Sequence, residues 1–127
     1  MADRIISQNA GKYDICLVDI HAEATSEKLC LGRYLDGRVA AVFGTHTHVQ
    51  TADARVLPGG TGYITDLGMT GSGAGVLGVR TECIIHKFTV RTPVYFEPAE
   101  GEPQATGALF TVDTETGLCT EAVGITF

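Results

Sequence analysis

Two short apolar segments, each running directly into histidine, constrain this chain more than any other feature. YDICLVDI, Tyr13 to Ile20, is almost continuously apolar, rich in Ile and Val, and leads into His21. RVAAVFG, Arg38 to Gly44, is of the same kind and leads into His46. A short apolar run bounded by turn signals reads as a strand covered on both faces, and such strands belong to parallel sheets. Between the two lies SEKLCLGRYLDG, which reads as a helix. In it Ser26 is placed to cap, Glu27 complements the positive helix end, Leu31, Tyr34 and Leu35 share a face, and Gly37 is the stop. Strand, helix and strand with short connections predict a parallel βαβ unit.

Beyond Asp53 the pattern changes. ARVLPGGTGYITDLGMTG reads as a strand, a turn at Pro58-Gly59-Gly60 and an antiparallel strand around Tyr63 to Leu67. The later segments VRTECIIHKFT, PVYFEPAE and ATGALFTVDTETGLCTEAVGITF are alternating or β-branched runs separated by turn signals, and all are expected to be strands. GSGAG, Gly71 to Gly75, is expected to be a mobile loop. The fold class that follows is α/β, a layered sandwich with a βαβ unit followed by antiparallel strands. At the front, MADRIISQNAGK reads as the tail of a helix that leads into a buried strand. A buried strand needs neighbours on both sides, so part of the sheet is expected to lie outside this chain.

Charge and cysteine usage narrow the partners. The chain of 127 residues is 44% apolar and carries a net charge of −6 with no run of Lys or Arg, which disfavours nonspecific binding to nucleic acid or an acidic membrane. An anionic substrate would need bound cations to attract it. Cys16, Cys30, Cys83 and Cys119 form no C-x-x-C pair, so free thiols in a reducing cytoplasm are expected. No apolar run approaches the roughly 20 residues of a membrane span.

His21, His46 and His48 are the candidate chemical groups. They fall at the C-terminal ends of two parallel strands, the edge where open α/β sheets place their sites. Imidazole suits zinc, iron and manganese, and alternate residues of a curved loop can face one ion; a hydrogen-bonded surface histidine is the competing explanation. Asp19, Glu23 and Asp53 are candidate orienting carboxylates. Other patterns fail. An H-x-H-x-D-H zinc motif would need Asp and His where Gln50 and Thr51 stand. An H-x-H barrel amidohydrolase needs about 250 residues. GAGVLG, Gly73 to Gly78, satisfies G-x-G-x-x-G, but the segment after it reads as a strand where a dinucleotide site needs a helix. Ser26 and Ser72 lack a nucleophile elbow, Cys30 sits on a helix face, and His86 is expected to point to solvent from a strand.

Three blocks in order, DIHAEATSEK (Asp19 to Lys28), VFGTHTHVQTAD (Val42 to Asp53) and GTGYITDLGMTG (Gly60 to Gly71), resemble the YmdB-like family of calcineurin-like metallophosphoesterases. The resemblance runs over nearly the whole chain and weakens after about Pro93. It implies a soluble, cytoplasmic, oligomeric phosphodiesterase acting on 2′,3′-cyclic nucleotides or other phosphodiesters through two divalent metal ions, iron or manganese. Carried over by motif, His21 and His46 would serve one metal and His48 the other. Ala22 stands where the family usually has glycine, and the Ser72-Gly73-Ala74 loop is small, which leaves substrate preference open. The resemblance further implies that residues 1–127 are the C-terminal portion of a single domain. The N-terminal half, with the remaining ligands and the general acid, would be absent. Alone, the chain is then expected to be inactive: either a non-catalytic fragment, or half of a split enzyme completed by a complementary N-terminal half or working within a homo-oligomer.

Overall fold

The computed structural model describes residues 1–127. After a short N-terminal helix, α1 (Ala2–Gln8), come β1 (Leu17–His21), α2 (Thr25–Tyr34) and β2 (Ala41–Thr45), the expected βαβ unit. β1 and β2 are parallel, with His21 level with Thr45. β3 (Arg55–Val56) and β4 (Gly62–Ile64) form the expected antiparallel pair, and β4 joins β2 in parallel, giving a sheet ordered β1-β2-β4-β3. A second, antiparallel sheet is built from β5 (Thr70–Ser72), β6 (Pro103–Val112) and β7 (Cys119–Thr126), in the order β5-β6-β7.

The first sheet is covered by α2 on one face and by the second sheet on the other, because successive residues of a strand point to opposite faces. Tyr63 lies under α2, where a Cβ at Gly32 would meet its ring at 2.6 Å. Its neighbour Gly62 lies under β6 and β7, where a Cβ would meet Phe110 at 2.6 Å and Cys119 Sγ at 2.8 Å. Both glycines allow approaches no side chain would permit. Across the same interface Phe43 stacks on Phe110, with ring centroids 6.4 Å apart. The core beneath α2 consists of Leu35, Val39, Val42, Leu57 and Tyr63.

Several sequence expectations change. VRTECIIHKFT is not a strand but α3 (Thr81–Val90). Its apolar residues Ile84, Ile85 and Phe88 also satisfy helical spacing, and short apolar runs do not separate the two periods. His86 does face solvent, from a helix. PVYFEPAE forms no strand and contributes only an isolated bridge between Pro98 and Val79. Proline cannot donate to a ladder, and this segment holds two. Gly71 and Ser72, expected to be loop, lie in β5. A helix does follow GAGVLG, but β5 before it is antiparallel to β6, so the parallel unit of a dinucleotide site is still not formed. The cap of α2 is Ala24, not Ser26, and it makes no side-chain bond. Finally, β1 is not covered on both sides. It is the edge strand of its sheet, and Leu17 is 55% exposed. All four cysteines are free, and no helix is long and apolar enough to cross a membrane.

Candidate metal centre at the ends of two parallel strands

Parallel pairing of β1 with β2 brings His21, the last residue of β1, beside the residues that leave β2. His46 Nδ1 lies 3.2 Å from His21 Nε2, and the rings meet edge to face with centroids 5.0 Å apart. The hydrogen bonds behind the pair set its polarity. Thr45 Oγ1 donates its one proton to Asp19 Oδ1 at 3.3 Å. At the 3.1 Å contact with His21 Nδ1 it is therefore the acceptor. With that assignment His21 Nδ1 carries the proton, and the Nε2 lone pair is aimed at His46. Such fixing of the far ring nitrogen is how metal-binding histidines are oriented.

The separation fits two ligands of one ion. Imidazole nitrogens about 2.0–2.1 Å from a metal, at right or tetrahedral angles, stand about 2.8–3.4 Å apart. His46 would present Nδ1 by moving its proton to Nε2. The set is nonetheless partial, because no three His, Cys, Asp or Glu side chains of the chain come together in metal-holding geometry. His48 is not part of the pair. It lines a cavity of about 350 Å³ formed by the segment after β2 and the second sheet, shared with Gln50, Met69 and the segment Gly71–Gly75.

The histidine loop is strained and held from below. His46 has φ 136° and His48 φ 62°, both on the side of the map that non-glycine residues avoid. Lys28 and Asp66, both fully buried, form an ion pair at 2.9 Å beneath the loop. Lys28 Nζ also donates to Thr45 O at 3.3 Å, just before His46. Asp66 Oδ2 accepts from the Thr47 amide at 2.9 Å, just after it. Asp66 Oδ1 accepts from the Gly68 amide at 3.0 Å. The pair thus grips the chain on either side of His46. Gly44 makes room for it, since a Cβ there would meet Thr65 O at 1.9 Å and Lys28 Cδ at 2.4 Å. Burial alone would raise the Asp66 pKa, but the Thr47 amide, the Lys28 ammonium and the Gly68 amide outweigh it and hold the carboxyl below its ordinary range.

Of the candidate orienting carboxylates, only Asp19 reaches the histidine pair, through Thr45. Asp53 instead binds the hydroxyls of Thr51 and Thr65, both at 2.6 Å, and braces the return to β4. Burial pushes its pKa up, and these two hydroxyls with the Thr65 amide bring it below its ordinary value. Glu23 is exposed. The sequence did carry one unused signal for Lys28: it falls on the helix face of Leu31 and Leu35, where a charge has to be buried with a partner. Thr45 and Asp66 offered no comparable sign.

The sequence profile of the YmdB-like protein family matches residues 1–125. The chain belongs to that family. It is 53% identical over 115 residues to the 2′,3′-cyclic-nucleotide 2′-phosphodiesterase of Bacillus subtilis strain 168, an alignment covering 91% of this chain and 44% of the relative. A solved structure described as a novel phosphatase from Mycoplasma pneumoniae superposes with a TM-score of 0.91 at 38% identity, covering 99% of this chain and 44% of that one. Another, a protein from Thermus thermophilus described as hypothetical, superposes at 0.89 with 40% identity, covering 99% and 48%. The chain therefore spans less than half the length of these relatives.

Proposed function

We propose that this chain is part of a metal-dependent phosphodiesterase acting on 2′,3′-cyclic nucleotides. The observation that carries the reading is the His21–His46 pair, 3.2 Å apart at the C-terminal edge of two parallel strands, with His21 Nε2 already oriented by Thr45. The substrate class is taken from the Bacillus subtilis relative, which is 53% identical to this chain. His21 and His46 would hold one divalent ion and His48 would serve a second, with iron or manganese the metals suited to imidazole. Bound there, the ions would supply positive charge to polarise the phosphoryl oxygens and to offset the net charge of −6. The chain's own residues do the positioning. Thr45 sets the His21 tautomer, and Lys28 with Asp66 holds the His46 loop in its strained form.

Two imidazoles do not complete a metal site, so further ligands and the general acid must come from outside this chain. The β1 edge is the place for them to arrive. Its outer hydrogen-bonding groups have no strand partner, and beside it Ile20, Cys30, Leu31 and Tyr34 line an apolar groove. A complementary N-terminal half that adds strands to β1 is the partner proposed; assembly of several copies is compatible with it. The four free thiols favour a reducing cytoplasm as the compartment.

The test is to purify the chain alone and together with the N-terminal portion of the Bacillus subtilis relative, then measure bound metal and hydrolysis of 2′,3′-cyclic AMP. Hydrolysis is expected only from the mixture, and His46→Ala with His48→Ala should abolish its metal retention. Full activity from the chain alone would overturn the shared-site reading, and unchanged metal content in the double variant would overturn the ligand assignment. The open β1 edge also fits a second reading, a non-catalytic fragment that acts by association. Complex formation with neither metal nor hydrolysis would establish it.

A further inference from the structure

We propose that the cavity between His48 and the Gly71–Gly75 segment is a pocket for an uncharged, hydrogen-bonding heterocycle, the nucleobase of the substrate. This rests on the cyclic-nucleotide reading above and adds where the base would lie. The cavity measures about 350 Å³, near the lower end of small-molecule sites, which run from about 300 to 1,000 Å³. Its chemistry argues against a phosphate. Among its fourteen lining residues there is no Lys, Arg, Asp or Glu.

Glycine-rich loops can bind phosphate through their backbone amides, but the amides of this one are largely committed. Gly73 N–H donates to Glu102 O at 3.0 Å, and Val76 N–H donates to Val79 O at 2.8 Å. Ala74 N–H donates to Ser72 Oγ at 3.1 Å. What remains free is suited to the edge of a base. Gln50 spends its amide protons on Gly107 O and Ile125 O, at 2.6 and 3.0 Å, which fixes the side chain and leaves Oε1 with acceptor capacity. Gln104, opposite Gly71 in the β5–β6 pairing, brings a second carboxamide with both a donor and an acceptor. A carboxamide is a natural bidentate partner for a base edge. Met69 and Leu77 supply apolar, adaptable surface for the ring to lie against. With His48 among the lining residues, a base seated here directs the phosphate end of a nucleotide toward the histidine edge.

Nucleoside binding by the chain itself tests the pocket without metal or turnover. Adenosine and uridine are titrated into the protein, with ribose 5-phosphate as a base-free control, and backbone amide NMR shifts are followed. Saturable shifts at Gly73, Gln104 and Thr126 are expected with at least one nucleoside, at affinities on the order of millimolar, and none at these positions with ribose 5-phosphate. A Cβ at Gly73 would meet Gln104 Oε1 at 3.0 Å, so Gly73→Leu should crowd the amide and weaken binding about tenfold. Gln104→Leu, at an exposed strand position, should weaken it comparably while Gln104→Asn keeps part of it.

No nucleoside shifts at those amides, the same shifts with ribose 5-phosphate, or binding indifferent to both Leu variants would each overturn the proposal. Nucleoside binding without hydrolysis by the reconstituted protein would instead refute the phosphodiesterase reading and leave the pocket standing. Hydrolysis of 2′,3′-cyclic AMP with an unchanged KM in both Leu variants would refute the pocket and leave the activity standing.

Discussion

Replacing Lys28 by Met should destabilise the fold and loosen the His46 loop, but by less than replacing Asp66 by Leu. The asymmetry follows from the hydrogen bonds. Both groups are fully buried, and removing one partner of a buried ion pair costs about 3–5 kcal/mol because the other charge is left behind. In Lys28→Met the remaining carboxylate keeps the amides of Thr47 and Gly68, at 2.9 and 3.0 Å, so the loss should be near the lower limit, about 3 kcal/mol. In Asp66→Leu the ammonium keeps only Thr45 O at 3.3 Å, and two amides lose their acceptor at about 1–3 kcal/mol each. That variant should lose more than about 5 kcal/mol. The double variant Lys28→Met with Asp66→Leu leaves no buried charge and should cost clearly less than the sum of the two single changes. Urea unfolding at neutral pH, followed by far-UV circular dichroism, measures all three. A Lys28→Met protein within about 0.5 kcal/mol of the parent, or additive single and double variants, would refute the clamp as drawn.

Relief of strain gives a prediction of opposite sign. His48→Gly removes the cost of a left-handed non-glycine residue and should raise stability by about 1 kcal/mol, read as a higher Tm, while metal retention by the reconstituted protein falls. The buried carboxylates set the acid limit. Asp53 and Asp66 have native pKa values below the ordinary one, so their contribution is fully present above the unfolded value of about 3.9 and is lost as pH falls through their native values. Equilibrium unfolding should therefore show little dependence on these groups between about pH 5 and 7 and a steep loss below about pH 4, which Asp53→Asn should blunt. Gly62→Val drives a side chain into Phe110 and Cys119 and should lower stability by about 1–3 kcal/mol by prising the sheets apart, measurable as a drop in Tm.

The failure at α3 and the success at β2 have one cause. Periodicity identifies an element when its covered face is long or its flanks are unambiguous. RVAAVFG had a helix before it and histidine after it, and it formed a strand. VRTECIIHKFT packs only one half-buried flank, at Cys83 and Ile84, so its pattern fitted both periods. The edge position of β1 was half legible. YDICLVDI reads as a strand with a neighbour on each side, but β1 pairs with β2 alone, and which strand stands exposed depends on the sheet order.

Local pattern was enough for the βαβ unit, the antiparallel strands after it, the placing of His21, His46 and His48 at strand ends, and the family, because these are properties of neighbouring residues. The remainder came from the folded arrangement. It paired His21 with His46, set His48 on a separate cavity, and joined Lys28 to Asp66 across 38 positions of chain. A buried charge can be noticed in a sequence, but the partner that neutralises it is chosen by which strand ends beneath the helix, and local pattern holds no record of that distance.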